Sequence, residues 1–202
     1  MKKLFKNCLS LAVLLSALFF GNQTASAQRI QDYTYPNNIV KFNLLTPAFG
    51  EIEGSYERVL SKHVTFQITA FYNIMERKNN KFDGYGVMPE IRYYLFNYTE
   101  APVGLYIAPV FLYQKMSMSG DFNNTDANPG KHQSQGELNT TGGGAFIGYQ
   151  TLIANKLSLG IYGGPVYNQK DFKLNKGYES DLHPEYFTDW KIRGGITAGW
   201  AF

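Results

Sequence analysis

The feature that most constrains the fold is a strict two-residue alternation that continues to the end of the chain. From Trp190 to Phe202, apolar or small residues occupy every even position, and the odd positions carry Lys191, Arg193 and small residues. A period of two indicates a β-strand with one apolar face. Usual strands have ~5–6 residues, whereas a tilted strand that crosses a bilayer needs ~9–11. The segment therefore has the length of a membrane-spanning strand.

The same alternation recurs in seven earlier segments, which brings the number of predicted strands to eight. The alternation is weakest in the sixth segment, because Gly142, Gly143 and Gly144 interrupt it. We expect these glycines to permit a narrow lumen or a bend. The seven segments are 40–44, 51–57, 64–72, 85–94, 105–114, 142–150 and 157–167.

The connections between the predicted strands fall into two classes. Leu60–His63, Phe96–Pro102 and Thr151–Lys156 are short, whereas Asn73–Gly84, Met116–Gly136 and Asp171–Asp189 are long and polar. The first link, Thr46–Gly50, is the one short link on the long-loop side. Outer-membrane barrels have this layout, with short periplasmic turns and long extracellular loops. No apolar run after Ala27 is long enough for a helical span, and only a closed barrel then satisfies every backbone group in lipid. The prediction is an all-β, eight-stranded, antiparallel up-and-down transmembrane barrel over residues 28–202.

Residues 1–27 have the features of a secretory signal peptide. Lys2, Lys3 and Lys6 precede an apolar stretch from Leu9 to Phe20, and Ala25-Ser26-Ala27 offers a cleavage site after Ala27. An uncleaved N-terminal anchor is the alternative. Export together with a barrel predicts the cell outer membrane as the location.

The charge balance argues against a nucleic-acid partner. The chain has 19 basic and 16 acidic residues. Without the three lysines of the signal peptide, basic and acidic residues are equal in number, so nothing attracts a polyanion.

Tyrosines and tryptophans cluster at the strand ends, where the aromatic girdles of membrane barrels lie. A soluble aromatic core is the alternative. Prolines within three strands, Pro89, Pro109 and Pro165, remove ladder hydrogen bonds, so we expect a bulge or an irregular hydrogen bond at each. The clustered aromatics are Tyr72, Tyr85, Tyr93, Tyr113, Tyr167, Trp190 and Trp200.

The polar strand faces carry four cations and four anions, which must lie in the lumen if apolar residues face lipid. Buried charges need partners, so a salt-bridge network that plugs the lumen is expected; a gated proton or ion path is the alternative. Lys191 and Arg193 should approach Glu51 and Glu53. Hairpin geometry places Lys41 opposite Glu57 and Asn43 opposite Ser55. The other two charges are Arg92 and Glu90.

The mature chain, residues 28–202, resembles the small eight-stranded outer-membrane barrels of the OmpA/OmpX type. Its end, Ile196-x-Ala198-x-Trp200-x-Phe202, resembles the terminal strand read by the outer-membrane insertion machinery. The pieces Glu90-Ile91-Arg92-Tyr93-Tyr94 and Tyr56-Glu57-Arg58 are similar to strands of uncharacterised outer-membrane barrels. The resemblance implies outer-membrane lipid and the insertion machinery as partners, and a larger outer-membrane protein as a further candidate.

One short arrangement suggests chemistry. His132-Gln133-Ser134 with Glu137 resembles the active site of outer-membrane lipid A deacylases. It lies in a polar segment, so we expect an exposed loop without catalysis. The other histidines, His63 and His183, lie in predicted turns or loops, and Asp121 and Asp126 lack metal-ligand spacing. We therefore predict no catalytic residue, metal or cofactor.

Three function classes remain. The first is a non-enzymatic outer-membrane barrel with a plugged lumen. It would have a structural role, bind through its outer loops, or serve as an accessory subunit of a larger assembly. The second is a lipid A-modifying enzyme. The third is a soluble periplasmic barrel that carries a ligand, which would need apolar residues inside and charges outside.

Overall fold

The computed structural model describes residues 35–77, 80–96, 99–123, 131–177 and 189–202. Its eight strands pair in sequence order, and the first also pairs with the last, so the sheet closes into a barrel. All eight neighbouring pairs are antiparallel, which confirms the predicted fold class. The strands are β1 (Asn38–Asn43), β2 (Glu51–Val59), β3 (Val64–Arg77), β4 (Asn80–Tyr94), β5 (Gly104–Asn123), β6 (Lys131–Ile153), β7 (Leu157–Lys176) and β8 (Trp190–Ala201).

The start of β1 and the end of β8 meet at one end of the barrel, which we call the terminal end. There the Asn38 amide donates to the Phe202 carbonyl at 3.1 Å, and the Phe202 amide donates back to Asn38 at 2.9 Å. These bonds close the β1–β8 seam. The opposite end, which we call the far end, carries the connections that follow β1, β3, β5 and β7.

The strand parity agrees with the prediction. Aliphatic and aromatic residues point outward on every strand, and the outward Phe42, Ile147 and Ile161 are each more than half exposed. Charged and polar residues at the intervening positions are buried, among them Lys41, Glu57 and Arg92. This polarity is the reverse of that required by a soluble barrel.

Outward aromatic residues form two rings. The outer ring, near the far end, consists of Tyr72, Tyr85, Tyr113, Tyr167 and Trp190. The inner ring, near the terminal end, consists of Tyr56, Tyr93, Tyr149 and Trp200. Trp190 and Trp200 both lie on β8. Their separation of ten residues corresponds to about 25 Å along the barrel axis for a strand tilted by ~40°. The height between the rings thus equals that of an outer-membrane apolar band.

The prediction of long polar loops at the far end was wrong in part, because strands continue into these segments. β3 and β4 continue to Arg77 and Asn80, and β5 and β6 continue to Asn123 and Lys131. We call the part of β3–β7 beyond the outer ring the extension. It was missed because its outward residues are mostly polar, with the exposed Ile74 of β3 as an exception, although the ladder of backbone hydrogen bonds continues. Its interior is apolar: Phe82, Met116, Met118 and Leu138 are buried together, with Phe172 packed against them.

The strands that carry Pro89 and Pro165 have no extra, bulged residue at these prolines. Paired residues of β4 and β5 keep one register from Val87↔Tyr113 to Glu90↔Val110, and thus across Pro89. The register of β6 and β7 is also unchanged across Pro165. A register shift instead occurs between Gln135 and Gly136. Neither proline forms a bulge, but the ladder of paired residues is interrupted beside each, between Val87↔Tyr113 and Glu90↔Val110 and between Gly144↔Val166 and Ile147↔Gly163. The irregular hydrogen bonding given as the alternative is therefore what occurs, because proline removes one donor without lengthening the strand.

The glycines of β6 allow its backbone to approach β7 closely. A Cβ at Gly144 would overlap the carbonyl oxygen of Pro165 and come within 2.9 Å of the Val166 Cα. A Cβ at Gly164 would overlap the Ala145 carbonyl oxygen in the same way. A Cβ at the outward Gly143 would meet its nearest atom at 3.7 Å. The weakest predicted strand is part of β6, which runs without a break from Lys131 to Ile153, and its backbone leaves no room for a Cβ at Gly144.

The expected signal peptide (residues 1–27) and its cleavage after Ala27 lie outside the described residues. Within the described ranges, no helix has both the length and the apolar character that a membrane crossing requires.

Candidate functional site

The interior toward the terminal end holds a charged group that we call the inner cluster: Lys41, Glu57, Glu90, Arg92 and Gln150. The Lys41 Nζ lies 2.6 Å from Glu57 Oε2 and 2.9 Å from Gln150 Oε1. Arg92 Nε donates to Glu90 at 2.6 Å, and its Nη1 lies 3.4 Å from Glu57. Two cations thus face two carboxylates, and each buried charge has a partner.

Glu57 is the centre of the inner cluster because it accepts from several strands at once. Thr65 on β3 donates to its Oε1 at 2.6 Å, and Tyr94 on β4 donates to the same oxygen at 3.1 Å. Gln150 on β6 donates to Oε2 at 3.0 Å. These bonds tie opposite walls of the barrel together through one carboxylate.

The inner cluster is covered at the terminal end by the β4–β5 turn. Gln150 Nε2 donates to the Pro102 carbonyl at 3.0 Å, and Ala101 is 1% exposed. The Arg92 guanidinium lies 4.4 Å from the centre of the Tyr106 ring, which packs below it. Beneath this cover Lys41, Glu57 and Arg92 are almost completely buried.

A second group, the outer cluster, lies toward the far end and contains Asn43, Glu51, Glu53, Tyr162 and Arg193. Arg193 contacts Glu51 directly, and its Nη2 is 3.7 Å from Glu53 Oε2. The Tyr162 hydroxyl donates to Glu53 Oε1 at 2.6 Å and accepts from Asn43 at 3.2 Å. One arginine therefore serves two buried carboxylates.

The predicted pairings held with two corrections. Arg193 meets Glu51 and Glu53, whereas Lys191, exposed at the far end of β8, interacts with Glu51 only at longer range and forms no ion pair with either glutamate. Lys41 contacts Glu57, yet its directly paired residue is Ser55, and Glu57 pairs with Ile39. The β1–β2 hairpin is centred on Ala48, so Lys41 and Glu57 are offset by two residues from direct pairing. The long Lys41 side chain reaches Glu57 diagonally.

Two residues of the deacylase-like arrangement, Ser134 and Glu137, point to opposite faces of β6. Ser134 lies on an inward position of β6 and is buried, whereas Glu137 lies on the outward face. Glu137 Oε2 pairs with Lys115 Nζ at 3.0 Å. The hydrogen bond from Lys115 holds the pKa of the Glu137 carboxyl below its usual value. The strand parity thus separates the hydroxyl from the acid that a triad would need.

Most of the other candidates lie outside the described residues. His132 pairs with Phe122 on the β5–β6 ladder, but its side chain lies outside the described residues, as do the side chain of Asp121 and the whole of Asp126 and His183. His63 lies in the turn before β3 at the terminal end. Among the described side chains, no group of three metal-ligating residues comes together.

Sequence reasoning did not predict that Gln150 and three tyrosines contact the buried charges of the two clusters. Gln150, Tyr94, Tyr106 and Tyr162 lie on inward positions of their strands. The alternation itself places Gln150 and Tyr162 on the inward face, since Gln150 follows the outward Tyr149 and Tyr162 follows the outward Ile161. Their partners follow from the register around the ring, which a single sequence does not give.

A family model described as "Protein of unknown function (DUF3575)" matches residues 12–178 of the chain. No curated protein matches the chain. Among solved structures, the chain is similar to the N-terminal β-barrel domain of Pseudomonas aeruginosa OprF, with 12% identity and a TM-score of 0.39 over 83% of this chain and 98% of that one. It is also similar to Acinetobacter baumannii CarO2, with 10% identity and a TM-score of 0.43 over 83% and 99%.

Proposed function

The chain belongs to the DUF3575 family of proteins of unknown function, and we propose from its own residues that it is an integral outer-membrane β-barrel with a plugged lumen. In this proposal the terminal end faces the periplasm and the far end faces the outside. The observation that carries it is the inverted polarity of the wall: charges are buried and large apolar side chains are exposed. Such a wall is suited to hydrocarbon rather than to water.

The aromatic rings support the same placement. Tyrosine and tryptophan prefer the interface between hydrocarbon and headgroups, because their rings are apolar and their tips are polar. The Tyr167 and Trp190 rings of the outer ring also contact each other, with their centres 5.2 Å apart. Two such rings at about 25 Å separation set the edges of an apolar band.

The two charged clusters support a plug rather than a pore. An eight-stranded barrel has room for little more than side chains. In the inner cluster Lys41, Glu57 and Arg92 are each at most 2% exposed. An ion crossing the lumen would have to displace hydrogen bonds that join opposite walls. We propose that the barrel acts through its surfaces and not by conduction.

The first expected result concerns location. The mature protein should fractionate with outer membranes, resist extraction by carbonate and high salt, and migrate faster on a gel before heating than after. Closed barrels migrate in this way because they keep their ladder of hydrogen bonds in detergent. Release by carbonate alone would contradict a membrane-embedded wall.

We further propose that Phe202 is read by the outer-membrane insertion machinery. Its amide and carbonyl both bond Asn38, so the last residue is part of the seam, while its side chain is 61% exposed. In the fractionation assay, Phe202→Asp should reduce the amount of folded barrel in the outer membrane. Refolding of the same variant into detergent should remain possible, which separates recognition from stability.

A binding or accessory role fits the extension better than an enzymatic one. The extension forms a wall with its own apolar core, and Ser134 and Glu137 lie on its opposite faces. Overexpression should therefore leave lipid A acylation unchanged in lipid mass spectra, as should expression of Ser134→Ala. Loss of an acyl chain with the native protein but not with Ser134→Ala would establish the enzyme reading instead.

A further inference from the structure

The link between β1 and β2, residues 44–50, differs in chemistry from the rest of the far end. Its sequence, Leu-Leu-Thr-Pro-Ala-Phe-Gly, contains no charged residue. Leu44, Leu45 and Phe49 expose 62%, 42% and 68% of their surface. Three large apolar side chains this exposed on a seven-residue link form a contiguous patch, and such patches mark contact with another apolar phase or partner.

The exposure is fixed by the local structure. Thr46–Phe49 form one 3-10 turn, and Gly50 ends it with a φ of 75°. The Asn43 side chain accepts from the Leu45 amide at 3.0 Å, and the Gly50 carbonyl accepts from the Ile74 amide at 2.7 Å. The one polar side chain, that of Thr46, is turned inward and buried. The link is therefore attached at both ends with its apolar side chains outward.

The link begins between the two rings and rises toward the outer ring. The Leu44 amide donates to the Ile196 carbonyl at 2.7 Å, and Ile196 lies between Trp190 and Trp200 on β8. On the other side, Ile52, the first outward residue after the link, pairs with Tyr72 of the outer ring. The patch is thus continuous with the outward apolar residues of β8 and β2, of which Ile192 is 84% exposed.

On the opposite side of the barrel the strands are longer and their outward residues are charged. There β4–β7 continue beyond the outer ring, and their outward residues become charged, as with Lys81, Asp83 and Lys115. The described wall is therefore high and polar over β4–β7, and low and apolar where β1 and β2 join.

We infer that residues 44–50 lie within the outer leaflet, where lipid acyl chains cover Leu44, Leu45 and Phe49. The inference rests on the proposed membrane placement and extends it to a connection that would otherwise count as an extracellular loop. Continuity with the apolar wall identifies hydrocarbon as the occupant, because the same phase already covers Ile52 and Ile192. The surface that meets water at the far end is then formed by the extension.

Single-tryptophan proteins in lipid vesicles test this inference. In a Trp190→Phe, Trp200→Phe background, Phe49→Trp should be quenched strongly by phospholipids with brominated acyl chains and weakly by aqueous acrylamide. Ser117→Trp in the same background is the matched control. It lies outward on β5 beyond the outer ring, so acrylamide should quench it and brominated lipid should not.

A third protein, Trp190→Phe with Trp200 kept, separates the two levels of the argument. Brominated lipid should quench Trp200, and its failure to do so would contradict the membrane placement itself. If Trp200 is quenched by lipid but Phe49→Trp by acrylamide, the inference about the link is wrong and the placement stands. If neither quencher reaches Phe49→Trp, a protein partner or a second copy covers the link, which also overturns the inference.

Discussion

Replacing Glu57 by glutamine lowers the free energy of unfolding by about 3–5 kcal/mol, the usual cost of removing one partner from a buried ion pair. The substitution keeps the shape of the side chain but removes its charge. Lys41 and Arg92 then share Glu90 as the one remaining carboxylate of the inner cluster, although both cations are buried. Urea titration of the barrel refolded in detergent measures the loss.

The double variant Lys41→Met, Glu57→Gln is the test of pairing. It removes one cation and one anion. Arg92 and Glu90 then remain as a pair without net charge, with Arg92 Nη2 2.5 Å from Glu90 Oε1. We expect the double variant to be more stable than Glu57→Gln alone. The single variant Lys41→Met completes the comparison. If the decreases in the free energy of unfolding of Lys41→Met and Glu57→Gln add up to that of the double variant, Lys41 and Glu57 are not energetically coupled.

Gly164→Ala should produce the second large effect, a failure of β6 and β7 to pair normally. The added Cβ would overlap the Ala145 carbonyl oxygen and lie 3.0 Å from the Phe146 Cα. Both obstacles are backbone atoms, so the strands must move apart. Overpacking of this kind costs ~1–3 kcal/mol or more. The measurement is the fraction of heat-modifiable folded barrel after refolding.

Its neighbour provides the matched control. Gly163 points outward, and a Cβ there would meet its nearest atom, the Arg193 carbonyl oxygen, at 3.7 Å. Gly163→Ala should refold like the native protein, because surface substitutions without such conflicts change stability by ~0.5 kcal/mol or less. Equal damage by both alanines would show that backbone freedom, and not close approach, explains these glycines.

The sequence predicted well which wall residues face outward, but it predicted poorly where the strands end, and both results have one physical reason. Where outward residues meet an apolar phase, alternation is strong, so the parity of Phe42 and Lys41 could be assigned. Beyond the outer ring the polarity of the two faces is inverted: Lys115 and Ser117 point outward, and Met116 points inward. The ladder of backbone hydrogen bonds does not need an apolar outward face, so the strands continue past the outer ring.

The interior could be predicted in composition but not in detail. Parity placed Lys41, Glu57 and Arg92 in the lumen. The partners of a lumen side chain, however, come from strands distant in sequence, as Gln150 does for Lys41. Those contacts depend on the register at each hairpin, and an error of two residues at the β1–β2 hairpin already changed the paired residue of Glu57.

The central claim is that even-numbered residues of β8 face hydrocarbon while odd-numbered ones face a filled lumen. The chain has one cysteine, Cys8, in the expected signal peptide, so nitroxide labels can be placed singly on Ile192, Arg193, Ile196, Thr197 and Ala198 of the refolded barrel in vesicles. The account predicts that labels at 192, 196 and 198 are accessible to oxygen and shielded from a water-soluble nickel complex, and that labels at 193 and 197 are shielded from both. Strong access of the nickel complex at 196 and 198 would contradict it.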